Sequence, residues 1–107
     1  MEIFIKTTNI KLTPDLEKFI KEKIESCQKF FPDKKFPLKV ECELEKTPNR
    51  RQKGFIFRVE INLELPQRKR VLRVETIKEE IHAAINEVKD RLQIEIKKYK
   101  NKKFKVD

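Results

Sequence analysis

Few residues in this 107-residue chain could carry out bond chemistry, and their spacing argues against it. The single histidine, His82, cannot build a multi-histidine metal site. The only serine, Ser26, lies in a lysine-rich helical stretch with no histidine near it in sequence. Cys27 and Cys42 sit at apolar-periodic positions; two cysteines make no disulfide framework and point to a reduced, cytoplasmic setting. A Cys27–His82 nucleophile pair would have to form against the fit of Cys27 to the core face of its helix. One glycine, Gly54, excludes a P-loop or a GxGxxG fingerprint. An enzyme is therefore the weakest reading, and no cofactor or metal is expected.

Positive charge is what the chain has in quantity. Twenty-seven Lys and Arg against 18 Asp and Glu give +9, and a pI near 9.6 points to a polyanionic partner. The charge is concentrated. Residues 46–53 hold Lys46, Arg50, Arg51 and Lys53 (+4), and residues 66–73 hold Arg68, Lys69, Arg70 and Arg73 (+4). Residues 97–107 hold Lys97, Lys98, Lys100, Lys102, Lys103 and Lys105 against Asp107 (+5), which leaves −4 on the other eighty residues. Contact of Lys and Arg with backbone phosphate is strong, salt-dependent and largely indifferent to base sequence. Outside the core only Tyr99 and Phe104 are candidates for stacking, so a folded RNA shape is expected rather than a single strand. In the first helical region, residues 13–35, six basic and five acidic residues read either as a solvated face or as phosphate contacts.

These charges need a scaffold, and the apolar pattern supplies one. Glu2 to Thr7 reads as a strand with Ile3 and Ile5 on one face. Thr13-Pro14-Asp15-Leu16 opens a helix: Thr13 caps, Pro14 suits the first position, and Asp15 and Glu17 suit the positive end of the dipole. Leu16, Phe19, Ile20, Ile24 and Cys27 form its core stripe, and Pro32-Asp33 closes it after Phe30 and Phe31. Leu38, Val40, Cys42 and Leu44 alternate with Lys39, Glu41, Glu43 and Glu45 in a second strand. Phe55, Phe57, Val59, Ile61, Leu63 and Leu65 alternate with Ile56, Arg58, Glu60, Asn62 and Glu64 in a third. Lys46 to Gly54 is expected as the hairpin loop, Pro66-Gln67-Arg68 as a turn, and Lys69 to Glu75 as a fourth strand. Thr76-Ile77-Lys78-Glu79 reads as a capping box opening a long helix striped by Ile77, Ile81, Ala84, Ile85, Val88, Leu92, Ile96 and Tyr99.

The expected fold is α+β: a β-α-β-β-β-α two-layer sandwich with both helices on one face of a four-stranded sheet. Strands one and two are expected as parallel neighbours joined through the first helix, and the rest as a meander. Residues 1–99 read as a single domain and 100–107 as a basic, flexible tail. Glutamates dominate the exposed sheet face, which would repel phosphate and lacks the aromatic platform of an RRM. No apolar run approaches the ~20 residues of a membrane span, and Met1 to Lys6 lacks the lead of a signal peptide. His82 reads as helix-surface packing, Tyr99 as core packing with a wet hydroxyl, and Ile94, Phe4 and Ile56 as scattered exposure or a small partner contact.

Several motifs, in order, resemble the ribosome hibernation-promoting factors, the ribosome-associated inhibitors also labelled sigma-factor modulation proteins. They are Ile3-x-Ile5, then Asn9-Ile10-Lys11-Leu12-Thr13-Pro14-x-Leu16, then Val71-Leu72-Arg73-Val74-Glu75. Ala83-Ala84-Ile85-Asn86, Asp90-Arg91-Leu92 and Ile96-Lys97-Lys98-Tyr99-Lys100-Asn101-Lys102 follow. The resemblance spans nearly the whole chain and is to the short form or an isolated N-terminal domain. It implies a fold related in its latter part to double-stranded RNA-binding domains. It also implies docking on small-subunit rRNA in the mRNA and tRNA path, blocking translation by occupancy under stress. By position, it implies rRNA contact by Lys23 and Lys29 on the first helix, and by Lys89, Arg91, Lys97, Lys98, Lys100 and Lys102 on the second. The chain departs from the family pattern at Thr7, Thr8, Ser26, Glu80-Ile81-His82, Ile94 and Glu95; the loop residues Arg50, Arg51, Lys53 and Arg68 are candidates to compensate. The implied partner is the small ribosomal subunit and its rRNA, with no membrane, no small-molecule substrate and a monomer off the ribosome. A constitutive structured-RNA-binding or ribosomal protein, and a regulatory protein-binding module, are the alternatives.

Overall fold

Period-two alternation builds four strands and three-to-four-residue stripes build two helices in a computed structural model that describes residues 2–30, 39–65 and 70–104. In chain order they are β1 (Glu2–Thr8), α1 (Pro14–Glu25), β2 (Lys39–Pro48), β3 (Phe55–Leu65), β4 (Arg70–Lys78) and α2 (Ile81–Phe104). The sheet order is β1-β2-β3-β4. β1 is parallel to β2, and the other two pairings are antiparallel. The fold is the expected α+β arrangement, β-α-β-β-β-α. Val40, Cys42, Leu44, Val59, Ile61 and Leu63 from the sheet meet Ile20, Ile24 and Cys27 from one helical layer and Ala84, Val88, Leu92 and Ile96 from α2.

The start of α1 is the one its sequence dictates. Thr13 Oγ1 accepts a hydrogen bond from the Leu16 N–H at 3.2 Å, and Pro14 takes the first turn, where no N–H is needed. The helix tightens into a 3-10 turn over Ser26–Phe30. There the Ser26 hydroxyl donates to the Lys23 carbonyl at 2.6 Å, and Cys27 turns into the core. The expected stop at Pro32-Asp33, together with Phe31, Leu38, the turn at Pro66-Gln67-Arg68 and Lys69, lies outside the described residues.

Three boundaries differ from the sequence expectation: the hairpin loop, the junction of the fourth strand with the second helix, and the end of that helix, which reaches Phe104 where a flexible tail from residue 100 is expected. The hairpin loop is 49–54, because Thr47 pairs with Ile56 and Pro48 with Phe55. Lys46 to Pro48 therefore belong to β2: ladder pairing carries the strand beyond the point where apolar alternation stops. Gly54 at φ +107° and a bond from the Asn49 N–H to the Gly54 carbonyl at 3.0 Å close the loop.

The second correction is larger. Thr76-Ile77-Lys78-Glu79 is not a capping box; β4 runs on through Lys78. Thr76 is buried, and its hydroxyl donates to the Ala84 carbonyl at 2.9 Å, tying β4 to α2. Ile77, assigned to the helix stripe, is 53% exposed on the outer sheet face. Glu80 caps α2 instead, accepting from the His82 N–H at 3.0 Å and the Ala83 N–H at 2.7 Å. Thr-x-x-Glu has the spacing of a capping box, but the β-branched pair Thr76-Ile77 continues the alternation of Leu72 and Val74, and the sheet wins. At its far end α2 continues to Phe104, past Tyr99 where the apolar signal fades.

Candidate nucleic-acid interface

α1 and its 3-10 extension lie beside α2 and run in the same direction. Three contacts fix this register. The Phe19 ring meets the His82 ring edge-on, with centroids 4.9 Å apart. Cys27 comes beside Gln93 of α2. Farther on, Lys97 Nζ sits 5.2 Å from the centre of the Phe30 ring. On α2 the residues His82, Asn86, Lys89, Gln93, Lys97 and Lys100 recur every three or four positions, so they form the side of that helix facing α1.

Lysines converge along this seam. Lys23 Nζ lies 5.3 Å from the Phe19 ring centre, and Lys29 Nζ lies 5.3 Å from that of Phe30. Lys29 and Lys97, from different elements, thus share one aromatic ring. Lys89 is partly enclosed, with 22% of its side chain exposed and Asp90 3.0 Å away. Lys23, Lys29, Lys97 and Lys100 form no salt bridge among the described residues. The opposite flank of α1 is different: Lys21 pairs with Glu17 at 2.8 Å and Lys18 with Glu22 at 3.9 Å. Salt-bridged lysines thus line one side of the first helix, and lysines with no salt bridge among the described residues line the other.

Other expected contacts lie elsewhere. Arg91 turns to the β4 flank, where Nη1 donates to the Glu75 carbonyl at 2.9 Å and Nη2 lies 3.7 Å from Glu87. Lys98 pairs with Glu95 at 3.6 Å. The backbone of Lys102 belongs to α2, but its side chain, like Arg68, lies outside what is described. Arg50, Arg51 and Lys53 are exposed in the hairpin loop, where the Arg51 N–H donates to Asn49 Oδ1 at 3.1 Å. That loop stands at the end where α2 begins. Lys97, sixteen residues down the helix, is about 24 Å away along its axis, so loop and seam are separate patches. Sequence reasoning missed the position of Lys46, whose Nζ lies 4.2 Å from the Phe55 ring centre beside the loop; its place in the charge run was the available signal.

The outer sheet face pairs part of its own charge. Glu43, Glu60 and Glu75 stand side by side across β2, β3 and β4, an arrangement that is unfavourable unless cations intervene. Arg58 intervenes. Its Nε lies 2.9 Å from Glu75, its Nη2 bonds Glu60, and its Nη1 lies 4.0 Å from Glu45. Arg73 adds a contact to Glu60 at 3.3 Å, and Asn62 donates to Glu60 at 3.0 Å. The Asn62 bond and the Arg58 and Arg73 charges hold the Glu60 carboxyl below its usual pKa despite burial. Hydrogen bonding to Glu75 raises that of Arg58.

Bond chemistry has no site among the described residues. His82 Nδ1 lies 2.7 Å from Glu80 at the surface, and N–H groups of His82 and Ala83 hold the Glu80 carboxyl low. Burial raises the Cys27 pKa and pushes that of Cys42 up to about 12, far from a usable thiolate. No group of three metal-ligating side chains occurs among the described residues, and no helix there is long and apolar enough to cross a membrane.

Comparison with known proteins places the chain. A family model described as "Sigma 54 modulation protein / S30EA ribosomal protein" matches residues 3–103. The N-terminal domain of Thermus thermophilus Protein Y superposes with a TM-score of 0.75 at 22% identity, covering 92% of this chain and 99% of that one. A ribosomal subunit interface protein from Coxiella burnetii gives 0.73 at 14% identity, covering 94% and 99%. No curated protein matches by sequence.

Proposed function

The chain belongs to the Sigma 54 modulation protein / S30EA ribosomal protein family, whose members are non-enzymatic, ribosome-associated factors, and on that premise we propose that it is a translation inhibitor of the hibernating ribosome. It docks on small-subunit rRNA in the path of mRNA and tRNA and keeps ribosomes inactive in the cytoplasm under stress. The block is by occupancy: a folded domain fills the path, and its lysines replace the counterions of the rRNA backbone.

The observation that carries this reading is the convergence of Lys23, Lys29, Lys89, Lys97 and Lys100 on the seam between the helices, against an outer sheet face that is rich in glutamate and whose arginines are engaged by those glutamates. The seam is the primary phosphate contact. Arg50, Arg51 and Lys53 are a second contact at the far end, with Arg68 and Lys102 as additional basic groups. Arg91 and Lys98 flank the β4 side. The folded domain, α2 included, docks, and the basic residues toward the end of α2 and after it follow the rRNA beyond the seam.

Co-sedimentation with isolated small subunits and with whole ribosomes tests the proposal, in a salt series and against mRNA plus initiator tRNA. One-to-one binding that mRNA and tRNA displace is the expected result. With about six phosphates neutralised, affinity falls by about a thousandfold between about 50 and 200 mM salt. Binding that persists beside mRNA and tRNA would favour a constitutive RNA-binding role instead.

A further inference from the structure

The two outer strands of the sheet differ as edges. On β4, Arg91 already occupies the Glu75 carbonyl, and pairing β4 with itself about Val74, its middle residue, would set Arg70 against Lys78. β1 has no such guard: its seven residues pair with β2 on one side, and on the other no group among the described residues bonds to them. An open strand edge is a template for another chain.

The sequence of that edge is complementary to itself. Read antiparallel about Phe4, Glu2-Ile3-Phe4-Ile5-Lys6 sets Glu2 against Lys6, Ile3 against Ile5, and Phe4 against Phe4. Glu2, Phe4 and Lys6 share the outer face, where Phe4 is 49% exposed, and Ile3 and Ile5 are only partly buried on the helical side. We infer that β1 is the edge through which two copies of this chain pair, antiparallel and in this register, into a continuous eight-stranded sheet. Both faces of the joint gain. Two Glu2–Lys6 pairs flank a central Phe4 pair outside, and four isoleucines meet inside. The joint is two-fold symmetric and therefore closes at two copies. In-register parallel pairing would set Glu2 on Glu2 and Lys6 on Lys6, and a one-residue slip would turn the outer residues of one copy to the inner face of the other. This departs from the monomer expected from the sequence, and it stands independently of the ribosomal reading.

Sedimentation equilibrium of the full chain, from micromolar to millimolar concentration, tests it through charge reversal. The wild type dimerises reversibly. Glu2→Lys and Lys6→Glu each place like charges at both ends of the joint and weaken dimerisation roughly tenfold or more. An equimolar mixture of the two variants restores it, because each then presents the complement of the other. Both side chains are exposed, and circular dichroism checks that each variant is folded. A wild type that stays monomeric throughout would overturn the inference. So would a dimer indifferent to either reversal, or a mixture that forms no heterodimer.

Discussion

The helical seam and the outer sheet face are both densely charged, yet they dispose of their charge in opposite ways. On the sheet, Arg58 reaches three glutamates and Arg73 reaches Glu60, so the cations of that face are taken up by its own carboxylates and the face stays acidic. On the seam, Lys23, Lys29 and Lys97 rest their ammonium groups near the rings of Phe19 and Phe30 with no carboxylate in range among the described residues. Aromatic faces orient a cation without cancelling it. A count of Lys and Arg therefore finds a basic protein, but only the pairing pattern distinguishes the lysines that carboxylates engage from those they do not. The partnered pairs Lys18–Glu22 and Lys21–Glu17 make the same point within a single helix.

This contrast is open to direct attack. The largest effect is expected from reversing the exposed Lys29 and Lys97 to glutamate together: ribosome affinity falls roughly 100-fold, about 3 kcal/mol, while the thermal midpoint hardly moves. Filter binding and a melting curve on the same preparation read both quantities. Arg58→Ala should do the converse. It leaves Glu60, 9% exposed, without its principal cation and lowers stability by about 1–2 kcal/mol, with ribosome affinity unchanged. Its pH dependence sharpens the test. The folded-state pKa of Glu60 is depressed, so its contribution is present above the unfolded value near 4.5 and is lost as pH falls through the folded value. The gap between wild type and Arg58→Ala in denaturant titrations should therefore be widest near neutrality and close on acidification.

Reversal of Arg50, Arg51 and Lys53 is expected to weaken ribosome binding about tenfold, less than the seam reversal, because an exposed loop holds its cations less rigidly. Unchanged affinity would remove the loop from the interface. The smallest effect belongs to Thr76→Val, which deletes the hydroxyl bonded to the Ala84 carbonyl and should lower stability by about 1 kcal/mol without touching affinity.

Much of this architecture was legible in the sequence because the signals were local. Thr13-Pro14 announced a helix start, and the alternation from Val40 to Leu44 and from Val59 to Leu65 announced a buried sheet face. Where local signals competed, reading failed. Thr76-x-x-Glu79 matched a helix cap, but the ladder opposite Val59 and Phe57 extended β4 through the motif. The seam was half legible. Lys89 and Lys97 were named by family position, and helical phase alone would have turned Arg91 away from them. Its actual partner, a backbone carbonyl on β4, is a tertiary contact that no local pattern encodes. Of the rings beneath Lys23 and Lys29, the helical stripe marks Phe19 as core but leaves Phe30 outside it, and only packing reveals both as supports for charge.

The two cysteines give the folded state a chemical clock. Cys27, on the 3-10 turn, and Cys42, on the inner face of β2, both lie in the core between the helices and the sheet, each almost fully enclosed. With burial suppressing both thiolates, an alkylating reagent reaches either sulfur only after the structure opens. Lifting the whole helical layer bares both sulfurs together, whereas fraying of the 3-10 turn alone bares Cys27 and leaves Cys42 covered. Their two alkylation rates, followed by mass, would therefore separate local opening at the end of the first helix from detachment of the helical layer in the unaltered chain, without any introduced probe.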